Sequence, residues 1–216
     1  MPTTTFENLA TAKREQFIQA ALAEFAAHNY EVASVNRIVK ALGIARGSVY
    51  QYFEDKFDLW QYLRLYAEDQ KRQFLSTVDR ADYPDFWAHC RALYHKGVHF
   101  DVAHPLCSRL LYRIGYQENS PGLQSALQAW KHTAKAELEA WIAAEQANGA
   151  IDPNLSTAMA AHFFLSMGMG IAAWLQDRYA IDENLAQGKP MLSGDLTDYY
   201  TAVDSLIALL KKSLQP

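Results

Sequence analysis

Few residues in this chain stand at spacings that support catalysis. His95 and His99 lie four apart, one helical turn, and His104 and Cys107 follow, a set of donor types that could bind a metal. The second pair falls on a new helix that begins at His104-Pro105, a break that separates it from the first, and lone histidines usually serve as core or surface residues, so no metal is expected. No Ser-His-Asp arrangement, phosphate-cradling glycine loop or dinucleotide fingerprint occurs, and neither a cofactor nor an enzyme activity is expected. The chemistry the sequence does support is recognition of a polyanion.

That reading rests on residues 34–56, Ser-Val-Asn-Arg-Ile-Val-Lys-Ala-Leu-Gly-Ile-Ala-Arg-Gly-Ser-Val-Tyr-Gln-Tyr-Phe-Glu-Asp-Lys. The pattern predicts two short helices, 35–42 and 46–53, bent at Gly43, where a tight turn needs positive φ. Val35, Ile38, Val39, Leu42, Ile44, Val49 and Phe53 supply an apolar seam that fixes the two helices against a first one. Between Val32 and Phe53 stand three cations (Arg37, Lys40 and Arg46) and no acid, inside a chain of net charge −4 and pI near 6.0. Acids beside phosphate would repel, so a local acid-free surface is what a DNA face requires. A generic helical hairpin with a solvated basic face is the plainer alternative. It rarely combines a glycine turn, an absence of acids and a Tyr-x-x-Phe ending.

These residues resemble the TetR family of transcriptional regulators, closely over about Phe17 to Leu59. Ser34 takes the place of the family's Ser or Thr before the second helix, and Leu42-Gly43-Ile44 its turn. Arg46-Gly47-Ser48-Val49-Tyr50 with Tyr52-Phe53 takes the recognition helix, and Lys56 the basic residue that opens the fourth. The resemblance implies that Arg46, Ser48 and Gln51 approach base edges while Ser34, Tyr50, Tyr52 and Lys56 position phosphates. Arg37 adds charge, and Gly47 allows close approach of the backbone. Arg can fork onto guanine and Gln can pair with adenine. Two departures stand out. Ala45 cannot cap the recognition helix as Ser or Thr would, and residues 1–8 carry no Lys or Arg to enter a minor groove. Both point to modest affinity or a narrow operator range.

The elements that must position this motif read as helices throughout: an all-α protein of about nine helices with no convincing strand. A first helix over about 6–28 carries Phe17, Ile18, Ala21, Leu22 and Phe25 on one stripe, with Asn29 closing it in a left-handed conformation. Asp55, with Asp58 in the first turn, caps a fourth helix expected to reach about Val78. Further helices are expected from Pro84 to about His99, from His104 to about Gln117, over 123–148 and over 153–179. A loop covers 182–194, and a last helix starts at Asp195. The division expected is a helix-turn-helix domain over 1–55 and a helical effector-binding and dimerisation domain over 56–216. With two cysteines and no basic start followed by an apolar run, the sequence reads as a cytoplasmic protein, and the family resemblance implies a bacterial one. Residues 154–176 carry no formal charge, yet their Ser, Thr, His and Gly content and acidic flanks argue against a membrane span.

Reading two half-sites together calls for a homodimer. The apolar helix over 153–179 and the last helix are its expected interface, through Ala158, Ala161, Leu165, Ala172, Leu206 and Leu210. Burial of both helices within a single chain is the alternative. The family resemblance implies an effector cavity, for which Tyr66, Trp87, Tyr94, Tyr116, Trp130, Phe163 and Met167 are candidates, although such side chains are more often ordinary core. The paired Gly168 and Gly170 either open space for a ligand or permit tight helix packing. The expected function is a ligand-responsive regulator, a repressor by family analogy, binding double-stranded palindromic operator DNA as a dimer and released by a small hydrophobic or aromatic molecule. The rival reading is a helical small-molecule-binding protein or enzyme with no DNA partner.

Overall fold

The computed structural model describes residues 1–179, 188–190 and 195–216, and in the helix ending at Tyr179 it leaves out the side chains of 169, 172, 173, 175–177 and 179. Most of the loop expected over 182–194, and the side chain of Ala172, lie outside the described residues. The described residues form ten α-helices and no strand: α1 (Thr4–Glu7), α2 (Thr11–Ala27), α3 (Val35–Leu42), α4 (Arg46–Tyr52), α5 (Lys56–Leu75), α6 (Phe86–Ala103), α7 (Pro105–Tyr112), α8 (Gln124–Ala147), α9 (Thr157–Tyr179) and α10 (Thr197–Leu214). The helix beyond the expected nine is α1. On one straight helix Phe6 and Phe17 would stand roughly 16 Å apart. A break at 8–10 folds α1 back so that their rings meet at 5.5 Å.

Helix ends follow local chemistry, with small departures from expectation. α2 stops at Ala27 because His28 is extended, and Asn29 is a turn former whose side chain accepts from the Val32 N–H at 3.2 Å. Asp55 caps α5, accepting from the Asp58 N–H at 2.8 Å, and the Asp58 carboxylate accepts from the Glu54 N–H at 3.2 Å. Asp85 caps α6, its carboxylate taking the Ala88 N–H at 2.7 Å, so α6 begins two residues after Pro84 and runs on to Ala103. Beyond α7 the backbone continues as a π turn over Arg113–Gln117, closed by the Glu118 N–H on the Arg113 carbonyl at 2.8 Å.

The chain folds into two compact units. The first comprises Met1–Phe74, Phe100–Gln124 and, of the described residues near the end of the chain, 188–190. Compactness thus groups α5 and α7 with the short N-terminal helices instead of parting the chain after residue 55. Its core is Phe17, Ile18, Leu22 and Phe25 of α2, Val35, Ile38 and Val39 of α3, Val49 of α4, Leu59, Trp60 and Leu63 of α5, and Leu110 of α7, all buried. Helix α2 lies at its centre and packs on α3 and on α7.

The second unit comprises Leu75–His99 with 125–179 and 195–216. Phe86, Trp87, Cys90, Ile142, Phe164, Val203, Leu206, Ile207 and Leu210 form its apolar core, and α9 packs on α10. The Asp152 N–H donates to the Leu214 carbonyl at 2.8 Å, tying the α8–α9 turn to the end of α10. Arg91 reaches from α6 to Asp204 of α10 through two hydrogen bonds of 2.6 and 2.5 Å, and His95 Nε2 lies 2.8 Å from the same carboxylate. The Arg91 guanidinium, and after it His95, hold the Asp204 carboxyl below the usual range. A carboxyl lowered by folding adds stability above its unfolded value and loses it as the pH falls through the folded one. Asp204→Asn should therefore lower Tm above about pH 5, and the deficit should shrink as the pH drops below about 3.9. Thermal melts of the two proteins across pH check this.

Candidate nucleic-acid interface

Helix α3 ends where the glycine turn requires. Gly43 sits at φ 65°, ψ 28°, the left-handed region, and the next helix begins three residues later. No atom lies within 4 Å of a Cβ built at Gly43, so the demand there is conformational, not one of space. The start of α3 is fixed by a residue that the sequence pattern did not single out. The Glu24 carboxylate, buried on α2, accepts from the Ser34 backbone N–H at 2.7 Å. It also takes Arg37 Nε at 2.9 and 3.0 Å and Arg37 Nη2 at 2.5 Å, while Nη2 donates to the Val32 carbonyl at 2.8 Å. Arg37 therefore joins α2 to α3, and its charge is matched by a buried carboxylate. Of the three cations in the acid-free window, Lys40 and Arg46 remain exposed without an acidic partner among the described contacts.

Helix α4 is seven residues long, with Val49 as its buried contact. Arg46, Gly47, Tyr50 and Gln51 are exposed and Ser48 is half-buried. Arg46 Nη2 donates to the Tyr50 hydroxyl at 3.2 Å and the guanidinium lies 5.7 Å from the Tyr50 ring centroid, so the two side chains stand together on the outer face. Space for a Cβ at Gly47 is open, which leaves the backbone there approachable. As expected, Ala45 supplies no side-chain cap.

The far end of α4 is held by the segment before α2. The Thr3 N–H donates to the Tyr52 carbonyl at 2.9 Å and its hydroxyl to the Gln51 carbonyl at 2.6 Å, satisfying carbonyls that a helix end leaves open. Phe6, Phe17, Tyr52, Phe53 and Tyr62 form one aromatic cluster with centroids 4.9 to 5.8 Å apart across α1, α2, α5 and the end of α4. The Tyr52 ring belongs to this cluster. Residues 1–8, which carry no Lys or Arg to offer a groove and whose terminal ammonium pairs with Asp58, thus serve as the clasp of the recognition helix. Thr3 and Phe6 gave no periodic signal of this role.

Lys56 departs from its expected placement. Its ammonium donates to the carbonyls of Tyr30 (2.7 Å), Ala33 (3.0 Å) and Glu31 (3.4 Å) and lies 4.5 Å from the Tyr30 ring centroid. With three donors on three carbonyls, it organises the loop before α3 instead of projecting a free charge. Burial, then the carboxylates of Asp55 and Glu31, push the Tyr30 phenol up, so that hydroxyl stays neutral.

The candidate effector residues do not converge on one cavity. Trp87 is core of the second unit, and Tyr94, Phe163 and Met167 pack against that core, half-buried. A Cβ at Gly168 would come within 2.7 Å of the Tyr94 hydroxyl, so this glycine makes room for a packed tyrosine. Trp130 is half-buried, and Tyr116 is exposed and stacked on Tyr112 at 4.7 Å. Tyr66 lines a cleft of about 280 Å³ in the first unit with Glu15, Gln19, Gln70, His104 and Cys107. Burial pushes its phenol up to about 12. The histidines once weighed as ligands have other partners: His95 meets Asp204, His99 Nε2 lies 3.0 Å from the Tyr200 hydroxyl, and His104 stacks on Phe100. Among the described residues no group of three or more His, Cys, Asp or Glu is placed to hold a metal, and no helix is long and apolar enough to cross a membrane. Both thiols are buried, with Cys107 raised by that burial to about 12 and Cys90 raised further.

A glycine-bent helix pair whose second member turns a polar, acid-free face outward defines a helix-turn-helix protein. Residues 17–63 match the profile described as bacterial regulatory proteins, tetR family. The chain is similar to the crystal structure of a TetR family transcriptional regulator from Chloroflexus aurantiacus, at 30% identity and TM-score 0.78, over 100% of this chain and 99% of that one. It belongs to the TetR family of transcriptional regulators. An HTH-type transcriptional repressor of Mycobacterium tuberculosis is 36% identical over 72 residues, which span 33% of this chain and 37% of that protein. The fatty acid degradation regulator FadR of Bacillus halodurans shares the fold at TM-score 0.67 and 19% identity, covering 93% of this chain and 99% of that one.

Two substitutions test the local account. Gly43→Ala should cost about 1 kcal/mol from the left-handed backbone, with Gly43→Asn recovering part of it. Glu24→Ala, which strips the Ser34 N–H and Arg37 of a buried partner, should cost about 2 kcal/mol. Urea unfolding measures both.

Proposed function

We propose that the chain is a ligand-responsive repressor that binds palindromic double-stranded operator DNA as a homodimer in the cytoplasm. One observation carries the DNA part: α4 turns Arg46, Gly47, Tyr50 and Gln51 outward together on a surface free of acids. Arg46 and Gln51 are suited to base edges, Ser48 and Tyr50 to the groove wall, and Ser34 and Tyr52 to flanking phosphates through their hydroxyls. Arg37 and Lys56 serve the same interface indirectly, by fixing α3 and the loop before it. Repression is supported by the similarity of the N-terminal region to the HTH-type transcriptional repressor of Mycobacterium tuberculosis.

The dimer surface is supported by exposed apolar side chains on the last two long helices, Met159, Leu165 and Trp174 of α9 and Leu209 of α10. Ala158 is exposed on the same helix as Leu165, whereas Ala161, Leu206 and Leu210 are buried in their own unit and are replaced in this reading by Leu209. For the effector, the cleft lined by Tyr66, with one aromatic wall, supports a small hydrophobic or aromatic molecule, which would act through unequal affinity for two states.

Arg46→Ala and Tyr50→Ala should each weaken binding to a duplex selected from a random pool by about tenfold or more, with the circular dichroism unchanged. Fluorescence anisotropy reads the loss, and unaltered affinity in both variants would overturn the DNA reading. Leu165→Glu combined with Leu209→Glu should yield a folded monomer by sedimentation. A dimer that survives both charges would place the interface elsewhere.

A further inference from the structure

The loop over 28–34 feeds the chain from α2 into the DNA-reading pair, and residues distant in sequence grip it from two sides. On one side Lys56 binds three of its carbonyls. The segment that follows α7 supplies the other grip. Arg113 Nε and Nη2 donate to the carbonyls of Ala26 and Ala27, each at 3.1 Å, at the end of α2 where carbonyls lack helical partners. The Glu118 carboxylate accepts the Tyr30 N–H at 2.9 Å through Oε2 and the Ser120 N–H at 3.0 Å through Oε1. Ser120 Oγ takes the Glu31 N–H at 3.4 Å, and the Gly122 N–H donates to Glu31 Oε1 at 3.3 Å. Glu118 and Ser120 are 8% and 2% exposed, so the bonds they make are at least partly shielded from competing water.

Two backbone features make the grip possible. The π turn over Arg113–Gln117 adds a residue to the helical turn, so from one short segment Arg113 reaches the end of α2 and Glu118 the loop. At Gly122 a Cβ would meet Glu31 Oε1 at 3.2 Å and Tyr30 Cε1 at 3.3 Å, so the two segments approach more closely than a side chain comfortably allows. A carboxylate accepting from backbone N–H groups makes stronger, more directional bonds than a neutral acceptor. Tyr30 stands four residues before Ser34, whose N–H meets Glu24 at the start of α3. Register set at Tyr30 is therefore passed along a short tether to α3, and through Gly43 to α4.

We infer that Glu118 is a positioning residue of the reading motif, and that the motif is completed by residues 113–122 and not by its own three helices alone. The DNA arm of this inference rests on the proposed function; the local-order arm does not.

The test uses the full chain with Glu118→Ala and Glu118→Gln, read by amide hydrogen exchange and by anisotropy on two duplexes, one selected from a random pool with the wild type and one of mixed sequence. Glu118→Ala should raise exchange at least tenfold over 30–42, leaving the second unit at wild-type rates. It should weaken the selected duplex tenfold or more and the mixed duplex less than twofold. Glu118→Gln keeps one acceptor oxygen and should fall between. Unchanged exchange over 30–42, or an equal rise across the whole chain, overturns the inference, and so does an equal loss on both duplexes. If Glu118→Ala does not fold, Glu118→Gln decides by the same exchange window. Should the pool yield no duplex for the wild type, the DNA reading fails, and the exchange data still decide the role of Glu118.

Discussion

A helix of seven residues cannot maintain itself in water, because nucleation costs more than so few hydrogen bonds return. The recognition helix α4 is such an element, and the surrounding structure supplies what it lacks. Its entrance is set by the left-handed turn at Gly43, its inner face by Val49, and its exit by Thr3 on the last carbonyls with Phe6, Phe17 and Tyr62 around Tyr52 and Phe53. These constraints leave Arg46, Gly47, Tyr50 and Gln51 exposed. A contact surface built on a fixed backbone loses less freedom on binding than one that must order itself.

Charge is distributed on the same plan. A cation needed for architecture has a buried or carbonyl-rich partner: Arg37 has Glu24, Lys56 has three carbonyls, and Arg113 has the end of α2. Lys40 and Arg46 are left on the outer face. In the second unit the same economy appears at Asp204, which joins α6 to α10 through Arg91 and His95.

What could be read from the residues alone was local. Leu42-Gly43-Ile44 announces a turn because one backbone conformation is permitted there to glycine, and the Val35, Ile38, Val39 spacing announces a helix because a 3.6-residue period admits few alternatives. The Asp55 cap was legible for the same reason. Glu24 was not, since it lies thirteen residues from its partner Arg37 and looks like any charge on an amphipathic helix. Residues 1–8 were read for missing cations when their work is done by a hydroxyl and a ring. On α9 apolar residues occur nearly all round, and on α10 Leu206, Ile207, Leu209 and Leu210 stand almost in succession, so periodicity could not tell which leucines face inward. The structure buries Leu206 and Leu210 and leaves Leu209 outside. The candidate effector aromatics failed to converge because aromatic content marks burial in general, and burial here is divided between two cores.

The Arg37–Glu24 pair bears on how a regulator of this kind moves about a genome. Loose attraction to arbitrary sequence scales with the number of phosphates a protein neutralises, through displacement of condensed counterions. With one arginine of the motif already neutralised internally and the chain as a whole at net charge −4, little of that indiscriminate adhesion is available. For the proposed operator-binding role, brief residence at unrelated sites is the consequence, and recognition of the right site then depends on fit to the groove more than on accumulated positive charge.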